Sequence, residues 1–317
     1  MENNKQSHLA VEMVEIDSER AGQRLDNFLI TKLKGVPKSR IYKMFRKGEV
    51  RVNKGRIKPQ YRLVEGDVVR VPPVRVPDQP EKVLSVPYLQ DKLEGRILYE
   101  DERLLVLNKP SGMAVHGGSG LSYGVIEALR AIRPESRFLE LVHRLDKETS
   151  GCLVVAKKRS TLRELHELFR GNDVDKRYLA LFVGQFVQKY QLVDVPLDKN
   201  VRVSGERMVT VSKTGKPSQT EFRLKKSFSE YTLVEAKLRT GRTHQIRVHA
   251  AYIDYPLAGD SRYGIDSVNQ KLRKNGLKRL FLHSSKISFK LPSSGDFIKV
   301  EAPLDDDLAA FLEGLAE

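Results

Sequence analysis

Apolar positions along the chain follow two rhythms, and the change from one to the other divides it. Leu25, Phe28, Leu29 and Leu33 recur at helical spacing, as do Ile41, Met44 and Phe45, with basic residues filling the outer faces. They predict two short amphipathic helices, separated at Pro37, with Lys38 or Ser39 opening the second. Gly48 marks a stop, Val50 Arg51 Val52 Asn53 alternates as a strand does, and Asn53 Lys54 Gly55 signals a turn. Residues 62–71 supply a further turn and strand. Pro72, Pro73, Pro77, Pro80 and Pro87 then place five of the fourteen prolines close together, which predicts an extended, semi-stiff linker.

Beyond Arg96 the pattern favours strands, at 97–99, 104–107, 138–142, 152–156, 176–184 and 231–238. Helices are expected at 124–132, 161–170 and 245–253. Hairpin-like spacing implies antiparallel pairing, so the larger part should be an α+β domain with a mixed, mostly antiparallel sheet. The expected organisation is a mobile segment 1–18, a small domain 19–72, a linker 73–92 and a large domain 93–317.

Charge sharpens this division. The 317 residues carry a formal +15, and between Arg20 and Arg70 fifteen Lys and Arg face four Asp and Glu, so +11 lies in one sixth of the chain. A basic surface so concentrated implies an anionic partner, nucleic acid before an anionic membrane. No apolar run approaches the roughly 18 to 20 residues of a membrane helix. The single cysteine, Cys152, lies in an apolar run and reads as a small buried hydrophobe in a reducing compartment.

The helix, helix, strand, strand order, with Arg24 Leu25 Asp26, Ser39 Arg40 Ile41, Gly48 to Asn53 and Gly66 Asp67, resembles the αL RNA-binding motif first known from a small-subunit ribosomal protein. The resemblance implies that Arg24, Lys38, Arg40, Lys43, Arg46, Lys47, Arg51 and Lys54 meet RNA. Phosphate contacts of that kind supply affinity and salt dependence but little sequence choice.

Candidate chemistry lies in the large domain. Asp146 sits in the turn His143 Arg144 Leu145 Asp146 Lys147 Glu148 Thr149 Ser150 Gly151 between two apolar segments, either as a turn-bonding carboxylate or as a reactive one. A glycosidase needs a matched carboxylate pair, and the nearby candidate, Glu148, is two residues away in the same turn. His244 and His249 are five apart, which is not a helical zinc spacing, and no metal is expected. The loop Lys109 Pro110 Ser111 Gly112 lacks the ending of a nucleotide-binding loop. Tyr178 alone reads as a sheet aromatic, and Arg247 alone as a surface or ion-pair residue.

Together, His143 Arg144 Leu145 Asp146 with Thr149 Ser150 Gly151, Lys176 Arg177 Tyr178, and the run from Gly241 through Arg247 to His249 followed by Pro256 Leu257 Ala258 Gly259 Asp260 resemble, in order, the RluA-type family of RNA pseudouridine synthases. The likeness covers essentially the whole chain. It implies isomerisation of uridines in large-subunit ribosomal RNA, at several sites and without a cofactor. Asp146 would be the catalytic carboxylate, Arg247 its ion-pair partner and Tyr178 a platform for the uracil. A helix starting near Thr243, as cap, would aim Arg247 into the cleft. Arg144 is expected to occupy the gap left by a flipped base. Such a protein should act as a monomer in the cytoplasm, with no membrane and no obligate protein partner. The alternative is a non-catalytic RNA-binding protein of ribosome assembly.

Overall fold

Two units divide the chain, 1–83 and 84–317. The computed structural model describes residues 10–18, 20–33, 35–74, 86–117, 123–171, 173–203 and 206–315.

The first unit contains β1 (Glu12–Glu15), α1 (Leu25–Lys32), α2 (Lys38–Lys47), β2 (Arg51–Val52), β3 (Gly55–Arg56) and β4 (Val68–Val71), with sheet order β1-β4-β2-β3. The seven apolar residues that set the helical rhythm are all buried in one cluster with Val50, Val52, Val69 and Val71. Gly48 ends α2 in the left-handed conformation, and Asn53 and Lys54 at φ 50° and 66° make the tight turn between β2 and β3. Two buried aspartates tie the loops. Asp26 accepts from Arg24 Nη2 at 2.7 Å and from the Tyr42 hydroxyl at 3.0 Å, and the Arg24 hydrogen bond holds its pKa below the usual range. Asp67 accepts from Asn53 Nδ2, the Tyr61 hydroxyl and the Val64 N–H at 2.8 to 3.0 Å.

This unit is longer than the apolar rhythm suggests. Residues 12–15, expected to be mobile, pair antiparallel with β4 because Val14 and Ile16 have a core to enter. At the other end Val74 is buried in the same core. The expected extended linker is also interrupted: α3 (Val86–Leu93) forms because Leu89 and Leu93, one turn apart, bury against Val125, Ile126 and Leu129. The rest of that linker, 75–85, lies outside the described residues.

The second unit continues through β5 (Ile97–Glu100), β6 (Leu104–Lys109), α4 (Val125–Ile132), β7 (Glu140–Leu141), β8 (Ser150–Ala156), α5 (Arg159–Arg170) and β9 (Asp175–Val183). Then come β10 (Tyr190–Asp194), β11 (Leu197–Val203), β12 (Glu206–Val211), β13 (Gln219–Ser227), β14 (Tyr231–Leu238), α6 (Gln245–Tyr252), α7 (Asp266–Lys274), β15 (Leu282–Lys290), β16 (Phe297–Glu301) and α8 (Asp306–Gly314). The large sheet runs β10-β13-β14-β9-β15-β8-β6-β5, with β16 beside β15 and β7 beside β8. Among the described residues its pairings are antiparallel except that of β8 with β15, so the α+β, mixed and mostly antiparallel expectation describes it.

Strand β8 is buried along its whole length and fills both faces of the sheet. Leu153 and Val155 pack with α3 and α4, while Cys152, Val154 and Ala156 pack with α5 and β16. Burial pushes the Cys152 thiol up to about 12, the behaviour of an inert apolar side chain. At the head of β8, Gly151 has φ 103°, and a Cβ there would lie 2.2 Å from the Ser284 carbonyl oxygen. Only glycine lets β8 and β15 approach at this point, immediately after the turn that carries Asp146. The segment 138–142, expected as a full strand, pairs only at Glu140–Leu141.

Candidate active site

The Asp146 turn is held from beneath. Val142 N–H bonds the Val154 carbonyl at 3.1 Å, and Val154 N–H bonds His143 Nε2 at 3.1 Å, so the start of the turn is pinned to mid-β8. Burial, and the nearby Lys176 charge, lower the His143 pKa to about 3, which keeps that nitrogen an acceptor. The His143 ring stacks on Phe169 with centroids 4.8 Å apart.

Lys109, the last residue of β6, closes the turn from the other side. It is fully buried, and its Nζ donates to the carbonyls of Pro110, Met113 and Lys147 at 2.8 to 3.1 Å. Gly112 N–H and the Ser111 hydroxyl add bonds to the Lys147 and Glu148 carbonyls at 2.9 and 2.7 Å. The loop 109–113 and the turn 146–148 thus form one stitched unit. Burial draws the Lys109 pKa down to about 7, against the opposing pull of Asp146. Sequence reasoning noticed this loop only as something other than a nucleotide-binding loop. The overlooked signal was a lysine ending a strand that opens with four apolar residues, Leu104 to Leu107.

Above this floor opens a cleft of about 280 Å³ whose walls include Arg144, Asp146, Lys176, Tyr178, His244 and Arg247. Asp146 is one-fifth exposed, and its Oδ2 lies 3.8 Å from Arg247 Nη1 and 3.7 Å from His244 Nε2. Arg247 makes its short bonds elsewhere. Its Nε and Nη2 fork onto Asp260 Oδ2 and Oδ1, both at 2.7 Å, in a buried pair that leaves Nη1 toward Asp146. The Asp260 carboxylate also accepts the Arg262 and Tyr263 N–H groups; burial pushes its pKa up, but the hydrogen bonds and charge of Arg247, helped by these two N–H groups, hold it below the usual range. The guanidinium stands 5.2 Å from the Tyr263 ring centre. Arg247 is therefore a cation locked in place before any substrate arrives, and Asp260, quoted in the sequence only as part of a motif, is what locks it.

Tyr178, on β9, is buried, and burial raises its phenol pKa above the ordinary value. Its neighbour Lys176 is also buried, with its pKa lowered by that burial and its Nζ 5.8 Å from the Phe169 ring centre. Arg144 is exposed at the cleft wall. The expected helix cap at Thr243 is not formed: α6 begins at Gln245 after His244, whose left-handed φ of 52° makes the turn, with no side-chain cap bond. Gln245 Oε1 instead accepts the Arg242 N–H at 3.0 Å and the Thr240 hydroxyl at 2.8 Å, which ties the loop to the helix and fixes the direction of Arg247.

Asp146, Tyr178, Arg247 and Arg144 thus meet in one cleft of the second unit. The eight basic residues singled out in the first unit lie on its own surface. Lys38, Arg40, Lys43, Arg46, Lys47, Arg51 and Lys54 are exposed. Arg24 is half-buried and forks onto Asp26, so it stabilises the α1 entry as well as offering charge. Among the described residues no cluster of three or more His, Cys, Asp or Glu is arranged to hold a metal ion, and no helix is long and apolar enough to cross a membrane.

Comparison with known proteins gives the same two parts. The family model for RNA pseudouridylate synthase matches residues 103–252, and that for the S4 domain matches residues 23–69. The chain is 57% identical over 307 residues to "Ribosomal large subunit pseudouridine synthase C" of Yersinia pestis, covering 96% of this chain and 95% of that one. It is 56% identical over 310 residues to the protein of that name from Escherichia coli (strain K12), covering 96% and 97%. Among solved structures, "Human RNA Pseudouridylate Synthase Domain Containing 4" aligns with TM-score 0.62 and 26% identity, covering 73% of this chain and 97% of that one.

Proposed function

The chain belongs to the RNA pseudouridylate synthase family, and we propose that it isomerises uridines of large-subunit ribosomal RNA, with Asp146 as the catalytic carboxylate acting on a flipped-out nucleotide. The reaction breaks the bond from uracil N1 to ribose C1′, turns the base and joins it again through C5. It needs no cofactor. A single carboxylate suffices in either of two routes, as a nucleophile or as a base removing a ribose proton.

The observation that carries this reading is Asp146 facing an immobilised cation across a cleft floored by a buried tyrosine. A carboxylate covered by a bound base loses water, which would favour its protonated form. Arg247, already forked onto Asp260, supplies the compensating charge without having to reorganise. Tyr178 offers a face on which a detached uracil can stay stacked while it turns. Arg144, exposed at the rim two residues before Asp146, enters the space that the nucleotide vacates, where a planar guanidinium replaces part of the lost stacking.

Exposed cations of the first unit hold RNA through phosphates and read few bases. Weak base readout suits action at more than one uridine, and the proposal is completed by a monomer acting in the cytoplasm. A protein that only bound RNA would gain stability from a buried Arg247–Asp260 pair but would have no use for Arg247 Nη1 held toward a carboxylate in the cleft. Tritium release from RNA labelled at uridine C5 tests the proposal: the native protein releases it and Asp146→Asn does not. Equal release by both would remove Asp146 from the mechanism.

A further inference from the structure

His244 stands beside Asp146, yet the reaction as described assigns it no role. It adopts a left-handed φ of 52°, a conformation that few residues other than glycine occupy and that histidine tolerates better than most. Backbone strain kept at the edge of a cleft points to function. The ring is held from behind: Nδ1 lies 2.9 Å from the Tyr263 hydroxyl, and the Tyr263 oxygen in turn accepts the Val209 N–H at 3.1 Å. The two rings meet edge to face with centroids 5.6 Å apart.

The donors and acceptors around Tyr263 point to one tautomer of His244. Val209 N–H takes an acceptor position of the Tyr263 oxygen, and the phenolic O–H itself is satisfied within this group only if it donates into His244 Nδ1. In a neutral imidazole the proton then resides on Nε2, the nitrogen that faces Asp146 Oδ2 at 3.7 Å. The ring is kept neutral chiefly by burial, with Arg247 and Arg262 adding to that effect and Asp146 and Asp260 opposing it. Hydrogen bonds of this kind are often long before substrate binds and shorten in the complex.

We propose that His244 is a positioning residue for Asp146: the relay from Val209 through Tyr263 presents a neutral Nε2–H to Oδ2, the oxygen that Arg247 also approaches, and so turns Oδ1 toward the nucleotide. The inference rests on Asp146 being the reacting carboxylate. A neutral donor suits the place, because a second full cation beside Arg247 would draw down the reactivity of the carboxylate it orients.

Two measurements on the full-length protein test it. Nitrogen-15 spectra of the histidine rings should show His244 protonated at Nε2 in the native protein and a mixture of tautomers in Tyr263→Phe. In single-turnover tritium release, His244→Ala should lower the rate roughly tenfold to a hundredfold, the range of a hydrogen bond to a charged group, with RNA affinity unchanged. His244→Gln, whose carboxamide N–H reaches the Nε2 position, should recover most of that rate. An Nδ1-protonated native ring, or a His244→Ala rate equal to the native one, overturns the relay. If the alanine variant does not fold, the native spectrum and the glutamine variant decide, and a glutamine rate as low as that of Asp146→Asn also overturns it. Release by Asp146→Asn at the native rate would instead defeat the catalytic reading and leave the tautomer assignment standing.

Discussion

Lys38, Arg40, Lys43, Arg46 and Lys47 stand exposed on one helix of the first unit, whereas Lys109, Lys176 and Arg247 of the second are buried in or under a cleft. The residue types are the same and the physics is opposite. An exposed cation keeps its water, is screened by salt, and contributes to a field in which neighbours can substitute for it. A buried cation has lost its water, so it leans on named partners, Asp260 for Arg247 and three carbonyls for Lys109, or has its pKa drawn down toward the neutral amine, as burial does to Lys109 and Lys176. The first arrangement suits holding a polyanion of variable sequence. The second suits holding one carboxylate in one place.

Single substitutions should therefore matter far more in the second unit. Arg247→Ala leaves Asp260 buried and unpaired and should destabilise that unit by about 3 to 5 kcal/mol in urea unfolding. A loss below about 1 kcal/mol would mean that the pair is solvated and the contrast false. Lys109→Met keeps the volume but takes their donor from the Pro110 and Met113 carbonyls, each worth about 1 to 3 kcal/mol if left unsatisfied, and leaves the Lys147 carbonyl with the Gly112 N–H alone. Faster hydrogen exchange at Gly112, whose N–H bonds Lys147, and a lower rate at unchanged RNA affinity should accompany it.

Acid should act on the second unit through its buried imidazoles. His143 and His249 have pKa values depressed to about 3 and about 4, so below pH 6.5 the unfolded chain binds protons that the folded one refuses. Their contribution is complete above pH 6.5 and is lost on acidification toward those values, at about 1.4 kcal/mol per pH unit for each group. Unfolding midpoints measured from pH 7 to 4.5 should fall more shallowly in His143→Gln than in the native protein. The smallest effect belongs to the exposed helix: Lys43→Ala should leave folding unchanged and reduce the salt slope of RNA binding by about 0.7 to 0.9. A large loss of affinity with no change in that slope would show that Lys43 reads a specific feature.

How much of this was legible in the sequence differs between the units for a physical reason. Helical periodicity and turn residues are local, so α1, α2, Gly48 and the Asn53–Lys54 turn could be read directly. The contribution of β1 could not, because Val14 and Ile16 find their core only by pairing with β4, more than fifty residues away. In the cleft, Asp146, Tyr178 and Arg247 were legible through motif resemblance. Lys109, Asp260 and His244 matter by contacts made across the fold, and a lysine in an apolar strand or a histidine at a helix start carries no local sign of its partner.

The central claim is that Asp146 carries the chemistry while the rest of the chain holds RNA and holds Asp146. Its most direct test is single-turnover tritium release from C5-labelled large-subunit ribosomal RNA by Asp146→Asn, with RNA affinity measured on the same preparation. The account predicts a rate lower by roughly four orders of magnitude or more, at native affinity. Native release by a variant that binds RNA normally would contradict it.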